Sequence, residues 1–145
     1  MLMTRFHLSP WTPEQTAVLE AWGHDRRAAL QAGLDGALAL MQGEEEQPMP
    51  GPGPVVPLRG EGDSLAALFG DLLDDLAAQV AVHGPMQVAA LDGVLKRGRE
   101  GLVAWGYLFP QEYPAPVASF ERLGSVEAEE TPEESRLRVT LRRLG

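Results

Sequence analysis

A chain of 145 residues with 44% apolar content has the size of one domain, 1–145, and can bury about 68–70% of its unfolded surface. Its 21 acidic and 12 basic residues give a net charge of −9 and a pI near 4.7, which argues against a direct grip on nucleic acid or on an anionic membrane, since both need clustered Lys and Arg. The absence of cysteine excludes disulfides, thiolate chemistry and cysteine-ligated zinc, and with no apolar signal core or membrane-length run the expected location is cytoplasmic.

Residues 1–15 read as an irregular lead-in, with Ser9-Pro10-Trp11-Thr12-Pro13 extended. From Thr16 the chain alternates: Val18, Glu20 and Trp22 point one way, Ala17, Leu19 and Ala21 the other, as in a strand. Gly23 ends it, and Asp25 is placed to cap the next helix. There Leu30, Leu34, Leu38 and Met41 form a helical stripe. Gly33 and Gly36 each cost about 1 kcal/mol against Ala in a helix; they mark either close packing against a sheet or a weaker helix.

Residues 42–54 read as a linker, because alternating Pro and Gly behind Glu44-Glu45-Glu46 cannot continue a helix. A second copy of the strand–glycine–helix unit follows. Val55-Val56-Pro57-Leu58-Arg59 ends at Gly60, Asp63 is expected as N-cap, and Leu65, Leu68, Phe69, Leu72, Leu76 and Val80 trace one face. His83-Gly84-Pro85 stops that helix.

Beyond it the pattern turns to strands. Met86–Leu95 is one, unless Asp92-Gly93 splits it as a turn. A turn over 96–101 leads to Leu102–Trp105, and 106–116 reads as a proline-rich loop. Val117–Ala128 and Arg136–Leu144 form a closing hairpin, the last strand alternating Leu137, Val139 and Leu141 with Arg136, Arg138, Thr140 and Arg142. The expected class is α+β, with two helices on one face of a mostly antiparallel sheet.

Three stretches carry a resemblance: Val18-Leu19-Glu20-Ala21-Trp22-Gly23 with the helix to Met41, Gly62-Asp63-Ser64-Leu65 through Leu73, and Trp105-Gly106, Phe109 and Glu112 with the strand through Leu123-Gly124-Ser125-Val126. In order and spacing the chain resembles the archease family, small strand–helix–strand–strand proteins that assist the RNA-splicing ligase of tRNA splicing. The resemblance implies a non-catalytic accessory role, a protein partner and a divalent metal such as calcium. The family's metal motif, His-Thr-Ala-Asp, falls on Pro13-Glu14-Gln15-Thr16, so Thr16 stands where the aspartate belongs. The second metal aspartate falls in the cationic Thr140-Leu141-Arg142-Arg143. The family's Lys and His positions fall near Val117 and Arg122. Glu14, shifted by two residues, and the Gly145 carboxylate are the remaining ligand candidates.

Other groups have plainer readings. Asp71, Asp74 and Asp75 are either ligands or a solvated helix face. His24-Asp25 and His83 sit at helix ends without the partners a catalytic base requires. Gly60-Glu61-Gly62 lacks the lysine and third glycine of a phosphate loop. Trp22 and Trp105 are expected in the core, and Tyr113 with Glu112 on the surface as partner contacts. Three function classes remain open: a ligase accessory protein, a metal-free interaction module that self-associates, and an enzyme or small-molecule binder with a pocket between sheet and helices. The residues themselves imply no cofactor.

Overall fold

The computed structural model describes residues 5–41, 49–50, 54–84, 86–97, 101–112 and 119–144. In chain order the elements are β1 (Phe6–Leu8), β2 (Thr16–Gly23), α1 (Arg26–Met41), β3 (Met49–Pro50), β4 (Val56–Gly62), α2 (Leu65–His83), β5 (Met86–Arg97), β6 (Gly101–Glu112), β7 (Ser119–Glu130) and β8 (Ser135–Leu144). The α+β class holds, with every ladder antiparallel. The strands divide between two sheets rather than forming one. The first sheet has the order β1-β2-β8-β7. In the second, β6 pairs with β4, β5 and β3.

The doubled strand–helix unit explains this division. Each copy is a strand, a helix and a later hairpin whose returning strand pairs with the first strand. One copy is β2, α1, β7 and β8; the other is β4, α2, β5 and β6, inserted between α1 and β7. Each helix packs on the first strand of its own copy and on the hairpin of the other: α1 on β2 and β5, α2 on β4 and β7. The inner faces therefore meet in one core. Ala17, Leu19 and Ala21 on β2 correspond to Val56, Leu58 and Gly60 on β4. Leu137, Val139 and Leu141 on β8 correspond to Ala104, Gly106 and Leu108 on β6. All are buried.

The register of the repeat pairs Gly23 with Gly62, not with Gly60 as the sequence pattern suggested. A Cβ at Gly23 would lie 2.5 Å from the Ala29 nitrogen, and one at Gly62 would lie 2.6 Å from the Leu68 nitrogen. Both glycines let a strand end run against the first turn of its helix. Two residues on, Asp25 Oδ1 accepts from Ala28 N at 2.8 Å and Ser64 Oγ accepts from Ala67 N at 3.1 Å. Ser64, in extended geometry, is thus the second cap in place of Asp63.

The two glycines within α1 mark close packing. A Cβ at Gly33 would collide with the Phe69 ring of α2, and one at Gly36 would lie 2.5 Å from Leu19 Cδ1. The helix is buried nearly all round, Ala29, Leu30, Ala32, Leu34, Ala37, Leu38 and Leu40 included. A helix apolar on every side belongs inside the fold.

Four expectations change. Phe6–Leu8 is not irregular but a strand against Leu19–Ala21. Met49 and Pro50 of the linker pair with Glu112 and Gln111. The strand starting at Leu102 does not stop at Trp105; β6 runs on to Glu112, because the alternation of buried Gly106 and Leu108 with exposed Tyr107 and Phe109 continues, and Pro110 is tolerated opposite Met86 near the ladder's end. Asp92-Gly93 is not a turn: β5 passes through it with register shifts at Val88/Ala90 and Leu91/Gly93. β7 carries its own shift between Leu123 and Glu127, around Gly124 at φ 73°.

Candidate functional site

The resemblance points to the end of the first sheet, where β2 begins and β8 ends, as the place for a metal. There Thr16 and Arg142 prove to be cross-strand partners. Thr12 N donates to Thr16 O and Gln15 N to Thr12 O, each at 3.0 Å. The two threonine hydroxyls share a 2.6 Å hydrogen bond. Gln15, at the tip, has φ 65°. Arg142 Nη1 donates to Glu121 Oε1 at 2.9 Å. Arg143 points elsewhere: its guanidinium carbon lies 3.7 Å from the Trp11 ring centre, and its Nη2 donates to Gln15 Oε1 at 2.6 Å. Glu14 is exposed, with no hydrogen bond or ion pair among the described residues. Hard divalent ions need several converging oxygen ligands. Among the described residues no three His, Cys, Asp or Glu side chains converge in that way, and the residue opposite Thr16 is the cationic Arg142. These residues do not fit a metal. Gly145 lies outside the described residues.

The α2 carboxylates lie on a solvated face, with Asp71 and Asp74 exposed and Asp75 half-buried, and they also bond to the neighbouring strands. Asp71 Oδ2 accepts from Glu61 N at 2.8 Å, and Asp75 Oδ2 accepts from Arg59 N at 3.1 Å, so the helix caps amides along β4. Asp74 takes Arg122 Nε at 3.2 Å and Nη2 at 2.9 Å, while Arg122 Nη1 reaches Gly124 O at 2.9 Å. The hydrogen bond from Asp74 raises the Arg122 pKa further above its ordinary value. On α1, Gln31 Oε1 accepts from Leu91 N at 2.7 Å, holding the bulged β5. Desolvation raises the Asp35 carboxyl above the ordinary carboxylate value, against the pull of its Gln31 hydrogen bond. His24 and Asp25 lie 3.3 Å apart, both exposed.

The described residues form shallow concavities. One of about 410 Å³ lies on the outer face of the first sheet against Glu20, Trp22, Glu127, Glu129, Arg136 and Arg138. Another of about 450 Å³ lies between α2 and β7, beside Gly70, Asp74 and Arg122.

The outer faces of the two sheets differ sharply in chemistry. On the first, Arg142 pairs with Glu121, Arg138 lies 3.8 Å from Glu20, and Arg136 sits 5.9 Å from the Trp22 ring centre. On the second, Val103, Trp105, Tyr107 and Phe109 alternate outward along β6, flanked by Pro57 on β4 and by Val55 just before it. Tyr107 is 45% exposed, Phe109 43% and Val55 51%. Arg59, opposite Trp105, pairs with Glu61 at 3.5 Å. Trp22 and Trp105 are half-buried on these outer faces rather than core residues, because their strand parity sets them opposite the buried positions. The expected contact Tyr113 lies outside the described residues, and Glu112 ends β6 with its backbone opposite Met49. The aromatic row lies beyond Trp105, where the prolines suggest a loop, and the alternation carried on to Phe109 is the signal that marks it.

Among the described residues no helix is long and apolar enough to cross a membrane. No protein-family model and no curated protein sequence matches the chain. Among solved structures, the solution structure of Methanobacterium thermoautotrophicum protein 1598 is similar over 97% of this chain and 99% of that one, with a TM-score of 0.68 at 16% identity. That likeness shows that the two chains share one α+β fold.

Proposed function

We propose that the chain is a non-catalytic, archease-like accessory protein that works in the cytoplasm by contact with a protein partner, an RNA-splicing ligase. The observation that carries the reading is the aromatic outer face of the second sheet. Trp, Tyr and Arg are the residues most enriched at energetic centres of protein interfaces, and Trp105, Tyr107 and Arg59 stand together there. A net charge of −9 suits a protein partner better than RNA. The partner's identity rests on the resemblance alone. The test is multiple-turnover RNA ligation by the ligase of the same cell, with and without this protein. Faster turnover supports the reading. Unchanged turnover favours a second one, an interaction module of the same fold with no ligase role, which Arg142 and Arg143 at the metal position also favour.

A further inference from the structure

We infer that Arg143 does in this chain the job a divalent ion would do between the same two segments: its guanidinium ties the 11–16 turn to the end of β8 and leaves the fold indifferent to divalent cations. This goes beyond the accessory reading and holds whatever the partner is. In a metal-bridged site, acids on the turn before β2 and on the last strand would be drawn together by a shared cation. Here the cation belongs to the last strand itself. Arg143 holds the turn at three points: its main-chain N donates to Gln15 O at 2.9 Å, its Nη2 donates to Gln15 Oε1 at 2.6 Å, and its charge lies over the Trp11 ring at 3.7 Å, within cation–π range. Trp11 in turn packs on the core.

Two costs show that the arrangement is held by its surroundings. Gln15 is the one non-glycine residue with positive φ among those described, a conformation that persists only where neighbouring contacts over-determine it. Arg143 Nε is buried without a hydrogen-bond partner, a donor given up so that the rest of the fork can reach Gln15 and Trp11. An ion approaching Thr16 would meet Arg142, with Glu121 already committed to Arg142, and one approaching the 11–16 turn would meet Arg143. Lysine could supply the charge but not a planar fork that stacks and donates at once.

The test is thermal unfolding of the full chain, in chelator and in millimolar calcium, magnesium or manganese. The inference expects coincident curves. An ion present at a hundred times its dissociation constant would raise Tm by about 8 °C, and that rise would overturn it. In the second arm, Arg143→Met and Trp11→Leu each lower Tm by about 4 °C, and the double variant falls by less than the sum, because the stacking contact is lost in both. An unchanged Tm in Arg143→Met, or fully additive losses, would also overturn it. Should Arg143→Met fail to fold, Arg143→Lys takes its place, with an expected loss about half as large.

Discussion

The two sheets are built on one plan and finished differently. Each has a first strand, a glycine at its end, a capped helix and a returning hairpin. Their inner faces match position for position, because both must pack on the same pair of helices. Their outer faces diverge, although each keeps a Trp beside an Arg and an Arg–Glu pair. The first carries Glu–Arg pairs that neutralise one another, and the second carries Val103, Trp105, Tyr107 and Phe109. Even the edges are finished in different ways: β1 covers β2, whereas Asp71 and Asp75 cap amides of β4. Packing constrains the inner residues twice over and leaves the outer ones free, so any specialisation of this chain is written on the outside.

The comparison is broken most readily from within. Leu19 and Leu58 occupy equivalent buried positions, 1% and 0% exposed. Leu19→Ala and Leu58→Ala should each lose about 2–5 kcal/mol in chemical denaturation, with similar losses from the two; a large inequality would mean that the two copies do not share one core. Next come the caps. Asp25→Ala and Ser64→Ala should each cost about 1 kcal/mol by the same measurement, and a loss from Asp63→Ala matching that from Ser64→Ala would contradict the cap assignment.

The outer faces separate stability from function. Tyr107→Ser with Phe109→Ser should leave stability within about 0.5 kcal/mol per site while abolishing partner binding in a titration. A double-mutant cycle on Glu20 and Arg138 should give about 0–1 kcal/mol, shrinking with salt. The smallest effect is at Asp35. Its folded pKa lies above the ordinary value, so the folded state penalises its charged form and that penalty fades as pH falls through the folded pKa. Asp35→Asn should therefore be slightly stabilising at neutral pH, with the advantage vanishing in acid.

Much of this plan was legible in the residues. The alternation of β8 and the apolar stripe of α2 survive intact, whereas the pairing of Thr16 with Arg142 came only with the strand register. What escaped has a physical reason in each case. Pro110 looked like a loop signal, yet the ladder accepts it near its end. Gly62 and Ser64 were hidden behind the equally plausible Gly60 and Asp63, since glycine and acid both satisfy the local rules for turn and cap, and only the approach of helix to strand separates them. The bulges in β5 and β7 are held with help from side chains on helices distant in sequence, Gln31 of α1 to Leu91 and Asp74 of α2 to Arg122 beside Gly124, which no local pattern displays. The metal question was half visible. The loss of the acids could be read, but not that Arg143 would turn away from Arg142 to stack on Trp11.

The central claim is that the second sheet's outer face is where this protein meets its partner. The most direct measurement is an NMR titration of the labelled protein with the RNA-splicing ligase. The account predicts resonance changes at Val55, Trp105, Tyr107 and Phe109, with Glu20, Arg138 and Arg142 unmoved. Changes centred on the charged face of the first sheet, with Tyr107 and Phe109 silent, would contradict it.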